Sequence, residues 1–182
     1  SPMKLRAAVV DVETTGLDAR TDEVIELGIV LFAFDPITNT VIGVEDEYTA
    51  LRDPGRPIPE GATRAHGLRW EDVRGHALDE ARVKSLFERA SLLIAHNAPF
   101  DRGFLERLYP ETKRMKWLCS MEGVAWKSKG FRSRALQNLL AAHGMQAESA
   151  HRALDDARNT LRLLGTRQSD GRTYLAELLS AR

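Results

Sequence analysis

One cysteine, Cys119, stands in 182 residues, so no internal disulfide can form. A lone thiol suits a reducing cytoplasm, and Cys119 reads as a small buried hydrophobe. No apolar run approaches the roughly 20 residues that span a bilayer, so no membrane helix is expected. The opening Ser1-Pro2-Met3-Lys4 is too short and too soon charged for a secretory signal. Ser1-Pro2 reads as a remnant ahead of an initiator Met3. A surplus of either charge is also lacking. Twenty-six Lys and Arg balance 26 Asp and Glu, so global charge draws the chain to no anionic partner. Internal repeats and low-complexity tracts are absent. A 43% hydrophobic content is enough for a sizeable core, and residues 1–182 read as a single domain.

Neutrality overall conceals a local imbalance. Lys113, Arg114, Lys116, Lys127, Lys129, Arg132 and Arg134 lie between Glu111 and Ala135, opposed only by Glu122. Trp117, Trp126 and Phe131 are interleaved with them. Such a segment either lines a single-stranded nucleic-acid backbone or is a solvated surface with two core tryptophans.

Apolar patterning predicts strands over 5–12, 24–34 and 41–51, then 91–96 and 116–120. The short link 37–40 makes the second and third an antiparallel hairpin. Residues 53–59, with three prolines and a glycine, must be loop. Short helical turns are expected over 60–66 and 70–74. Longer helices are expected over 79–90, 99–109, 136–143, 153–164 and 173–181, with Asn97 as the cap of the second. Gly144 and Gly165 stop two of them. Three strands followed by strands alternating with helices imply an α/β fold: a mixed five-stranded sheet, an antiparallel meander extended by parallel strands, flanked by helices.

The chemistry-bearing residues sit at the edges of these apolar segments. Asp11 and Glu13 are two apart at the end of the first strand, and period two puts both on one face. Like charges so placed repel unless a cation lies between them. Thr14-Thr15-Gly16 is a turn able to present backbone N–H groups, and glycine permits close approach. Asp101 occupies the first turn of a helix, where the dipole favours an acid in any case. Asp156 flanks the apolar stripe of Ala153, Leu154, Ala157, Leu161 and Leu164, whereas Asp155 falls opposite it and should be solvated. His151 just ahead supplies a group that titrates near neutral pH. Hard divalent cations take oxygen ligands, and two of them stabilise the attacking and leaving oxygens of a phosphodiester cleavage. The pattern therefore points to nucleic-acid hydrolysis.

Three stretches together resemble a known family: Val9-Val10-Asp11-Val12-Glu13-Thr14-Thr15-Gly16-Leu17, His96-Asn97-Ala98-Pro99-Phe100-Asp101, and His151-Arg152-Ala153-Leu154-Asp155-Asp156-Ala157. They look like the three motifs of the DEDDh 3′→5′ exonucleases, the proofreading type that includes the epsilon subunit of bacterial DNA polymerase III. The resemblance covers nearly the whole chain in the right order. It implies a ribonuclease H-like fold and release of nucleoside monophosphates from single-stranded ends. It also implies Asp11, Glu13, Asp101 and Asp156 as ligands of two Mg²⁺ or Mn²⁺ ions, Asp101 reaching its ion through water, with His151 as the base. His66-Gly67 resembles the family's segment near the substrate pocket. Thr14, Thr15, Gly16, Leu17, His66, Asn97 and Phe100 are then the expected substrate contacts, Leu17 and Phe100 pressing on the terminal base.

Two departures are visible. Trp117-Leu118-Cys119-Ser120 replaces an Asp-Thr often found there, and the chain ends soon after the third motif, without the epsilon-type tail. An excised domain and a free-standing enzyme both remain open, as do a polymerase partner and a homodimer. DNA is the expected substrate. The alternatives are an RNA-trimming exonuclease and, further off, a non-catalytic nucleic-acid-binding module.

Overall fold

The computed structural model describes residues 3–147 and 151–180. Ser1-Pro2 and the expected helix end at Ala181 lie outside the described residues.

The first three strands form the meander that the patterning implied. β1 (Leu5–Thr14) pairs antiparallel with β2 (Val24–Asp35), which pairs antiparallel with β3 (Thr40–Leu51). The Asp35 carboxylate accepts the Ile37 N–H at 2.8 Å and so closes the turn between β2 and β3. β4 (Leu92–Ala95) adds parallel to β1, and β5 (Lys116–Cys119) adds parallel to β4. The sheet order is β3-β2-β1-β4-β5, which makes β1 the central strand. β1 runs two residues beyond its expected end, because Glu13 pairs with Glu26 and Thr14 with Val24 across a bulge. This is the mixed sheet expected of a ribonuclease H-like fold.

Period-two alternation divides β1 between two cores. Ala7 and Val9 face one layer, formed by α5 (Leu136–Ala142), α6 (Ala153–Leu164) and α7 (Tyr174–Ser180). Ala8, Val10 and Val12 face the other, which holds α3 (Glu80–Arg89) and α4 (Ala98–Leu108). Fully burying one large aliphatic side chain contributes about 1.5–3 kcal/mol, so both faces are firmly fixed. Asp11 and Glu13 continue the odd-numbered face, toward α6. Of two short helices, α1 (Glu60–His66) meets the end of β1 where His66 reaches the Thr14 carbonyl, and α2 (Trp70–Val73) packs against the ends of β2 and β3 through Ile25, Leu68 and Val73. Short 3₁₀ turns at Pro110–Arg114 and Lys127–Lys129 carry no periodic signal and were not expected.

Several expectations need correction. Asn97 precedes α4 but makes no capping hydrogen bond with its side chain; its backbone is left-handed, φ 86°, which asparagine tolerates better than most residues. Cys119 is only half-buried, and its sulfur accepts the Ala98 N–H at 3.3 Å. Asp155 is half-buried rather than solvated, because Arg158 one turn on pairs with it at 3.5 Å. Of the two readings of Trp126 the core one holds: it is fully buried and donates its indole N–H to the Ser120 carbonyl. Phe131 stacks on His143. No described helix is long and apolar enough to cross a membrane.

Candidate active site

The central strand delivers two acids to one end of the sheet, and α6 brings the third. Ligand-capable atoms of Glu13, His151 and Asp156 all lie within 4.8 Å of one another. Asp11 stands beside them, with its Oδ2 buried and without a hydrogen-bond partner. Asp101 enters from α4 and accepts the Val12 N–H at 3.1 Å, which ties it to the backbone between Asp11 and Glu13. Sequence positions far apart therefore meet on one strand end.

The electrostatics of this cluster are those of crowded, buried acids. Burial pushes the Asp11 carboxyl well above the usual carboxylate range, and the charges of Asp101, Glu13 and Asp156 push the same way. Burial, then Asp156 and Glu26, raises Glu13 to about 8. Burial raises Asp101 to about 8 despite the Val12 N–H that favours its ionised form. Asp156 is raised by burial and partly relieved by its donors, the His151 N–H at 2.9 Å and the Gln137 amide at 3.0 Å. An orphaned carboxylate oxygen among acids that repel one another is a donor set suited to a hard divalent cation. Asp11, Glu13, Asp101 and Asp156 fit that role.

His151 has a left-handed backbone, φ 64°, and an exposed side chain at the rim of the cluster. The next residue, Arg152, grips Glu26 with its guanidinium at 2.7 Å, and Glu26 also accepts the Ala153 N–H at 2.9 Å. Glu26 thus caps α6 from β2, where no side chain of α6's own caps it. Glu26, Arg152, Gln137 and Gly28 were all missed by sequence reasoning. The available signals were an acid and a glycine inside an otherwise apolar strand, 24–34. Buried acids are paired, and a strand glycine marks a close backbone approach.

Beside Glu13 a cleft of about 390 Å³ opens between the turn after β1 and α1. Glu13, Thr14, Gly16, Leu17, His66 and Phe100 line it. His66 accepts the Leu68 N–H at Nδ1, so Nε2 carries the proton and donates to the Thr14 carbonyl at 3.1 Å. Burial lowers the His66 pKa and keeps the ring neutral. Leu17 is 86% exposed at the mouth.

Three expected contacts behave differently. The Thr15 N–H donates to the Glu23 carbonyl and its hydroxyl to Asp22, so Thr15 faces away from the cleft. A Cβ on Gly16 would stand 2.7 Å from the Asp22 carboxyl carbon, so the glycine there serves the fold of the turn. Asn97 does not line the cleft.

The sequence model of the RNase_T family, described as "Exonuclease", matches residues 8–164. A PolC-type DNA polymerase III of Thermotoga petrophila is 32% identical over 93% of this chain, but the chain spans only 13% of that polymerase. The DNA polymerase III epsilon subunit of Treponema pallidum is 30% identical over 86% of this chain and 73% of its own length. Among solved structures, a zinc-bound complex of E. coli exonuclease I with single-stranded DNA superposes with a TM-score of 0.69 at 19% identity. That match covers 90% of this chain and 40% of the exonuclease, and shows a shared fold. The strand order, the convergent acids and a match across nearly nine-tenths of the residues agree: the chain belongs to the RNase T exonuclease family.

Proposed function

We propose that residues 1–182 act as one metal-dependent 3′→5′ exonuclease domain that releases nucleoside monophosphates from single-stranded DNA. The observation that carries this is the junction at Glu13. Glu13 belongs both to the acidic cluster with Asp156 and His151 and to the lining of a cleft of one-nucleotide size. A terminal nucleotide in the cleft leaves its scissile phosphate beside the acids. Mg²⁺ or Mn²⁺, as a pair, is the cofactor we assign. Bound there, such ions supply positive charge to the attacking and leaving oxygens.

The remaining work falls to the chain itself. Leu17 and Phe100 supply apolar contact for a base, and stacking on an aromatic tolerates any sequence. The Thr14 carbonyl, held by His66, fixes the floor of the cleft. The ring of His151 takes a proton from the attacking water, and its exposed place at the rim gives it access to solvent. DNA is favoured over RNA because the polymerase relatives are named for DNA synthesis and the exonuclease I complex holds single-stranded DNA. The same relatives make a replicative polymerase the partner class we assign.

The test is release of mononucleotides from 5′-labelled single strands, DNA beside RNA, with Mg²⁺, Mn²⁺ or chelator. Stepwise shortening from the 3′ end that needs the metal and prefers DNA is expected. Asp11→Ala should abolish it, and a fully active Asp11→Ala enzyme would refute the assignment.

A further inference from the structure

The basic segment around residues 113–134 is only partly used by the fold. Lys129 pairs with Glu177 at 2.7 Å. Arg132 and Arg134 do not pair: among the described residues, no carboxylate lies within ion-pair distance of either. Most other arginines of this neutral chain are committed, as in Arg82–Asp46, Arg107–Glu23 and Arg158–Glu47. Two neighbouring cations left uncompensated on a surface rich in acids call for an anionic partner.

Their position is fixed relative to the active site. His96, at the end of β4, donates from Nε2 to the Arg134 carbonyl at 2.6 Å, and its Nδ1 accepts from Ser120 at 2.9 Å, at the end of β5. Ser133 accepts the Asn138 amide and the Ala135 N–H, which stiffens the approach to α5. Three residues after Arg134, Gln137 touches Asp156. The segment thus borders the acidic cluster on the β4–β5 side of β1. The nucleotide-sized cleft opens on the other side of Glu13, between the turn after β1 and α1, and neither Asp156 nor any residue of 132–137 lines it.

This arrangement sets the path of a substrate. If the terminal nucleotide fills the cleft and its phosphate lies on the acids, the remaining strand leaves across the β4–β5 side. We propose that Arg132 and Arg134 hold the phosphates of the retained strand, those immediately upstream of the bond being cut. The inference rests on the exonuclease reading of the same site. The arginine pair sets affinity for a strand with at least two upstream nucleotides and adds nothing to a substrate that has none. Arginine forks suit phosphate oxygens.

The test compares two substrates: a single-stranded thymidylate 12-mer, and the nitrophenyl ester of thymidine 5′-monophosphate, which has a scissile phosphate but no upstream strand. In the R132E/R134E double variant, kcat/KM on the 12-mer relative to the ester should fall at least about ten-fold, mostly through KM. The salt dependence of 12-mer cleavage should become shallower by about 1.4, since each phosphate of a single strand that is no longer neutralised removes ~0.7 from the slope. R132K/R134K should restore most of the ratio, and circular dichroism melts check that each variant folds. Equal losses on both substrates, or unaltered 12-mer kinetics, would overturn the proposal. A parent protein that cuts neither substrate would remove the exonuclease reading and this inference together. An active parent with an indifferent double variant removes this inference alone.

Discussion

Gly28 of β2 and Leu154 of α6 touch backbone to backbone. A Cβ on Gly28 would stand 2.5 Å from the Ala153 carbonyl carbon and 2.6 Å from Leu154 Cα. Gly28 is also the partner of Asp11 across β1 and β2. The missing side chain therefore lets the start of α6 rest on the sheet beside the strand acids, and this brings Asp156 to them. Gly28→Ala should push α6 outward. Overpacking of this kind costs about 1–3 kcal/mol, which a urea unfolding curve can resolve. Metal-dependent cleavage should fall by more than the stability loss accounts for. A Gly28→Ala protein with parental activity would show that α6 has no need to sit so close.

How much of this was visible beforehand follows from what each residue's signal is. Asp11 and Glu13 announced themselves because two acids at period two ended an apolar strand. Asp156 was separable from Asp155 because the helical stripe has a direction. Gly28, Glu26 and Gln137 were hidden because each acts through a partner more than 15 residues away, and one sequence does not pair them. Trp126 shows the same limit in reverse. A tryptophan among lysines and arginines fitted a strand-binding track and a core equally well, and only the fold, in which its ring is buried and its N–H finds the Ser120 carbonyl, decides for the core. The central place of β1 was not legible either. It depends on β4 adding on the open side of β1, opposite β2.

Gln137 offers a test of how Asp156 is held. Its amide donates to one oxygen of Asp156 while the His151 N–H binds the other. Gln137→Leu keeps the bulk and removes the donor. Loss of a partner behind a metal ligand typically costs about 10–100-fold in metal affinity or activity. The Mg²⁺ concentration for half-maximal cleavage should rise within that range, with the rate at saturating metal much less affected. A change in rate alone would place Gln137 elsewhere in the reaction.

The acidic cluster also predicts a pH dependence of stability with a definite sign. Glu13 and Asp101 stand at about 8 in the metal-free fold, above ordinary values of 4.5 and 3.8. Across that window the folded chain keeps protons that the unfolded chain releases, so stability falls as pH rises toward 8. The metal-free melting temperature should drop between pH 5 and pH 9. A bound cation displaces those protons, so stabilisation by Mg²⁺ should grow over the same interval. A flat metal-free profile would mean that the acids are not crowded as described.

Glu26 and Arg152 supply the last test, because they join the strand under the acids to the residue after His151. Glu26 is 1% exposed, whereas the Arg152 side chain is 47% exposed. Breaking a fully buried pair costs ~3–5 kcal/mol, but the Arg152 guanidinium can return to water when its partner is lost. Glu26→Gln keeps an acceptor for the Ala153 N–H, so its cost should be ~1.5–3 kcal/mol, that of a charge-assisted hydrogen bond. Arg152→Gln should cost more, since it leaves the Glu26 charge buried with only one N–H donor. A double-mutant cycle followed by urea unfolding isolates the interaction. Coupling above about 1 kcal/mol, together with a lower kcat in both single variants, is expected if this pair anchors His151 at the rim. Strict additivity in the cycle would mean that the two side chains meet without holding anything in place.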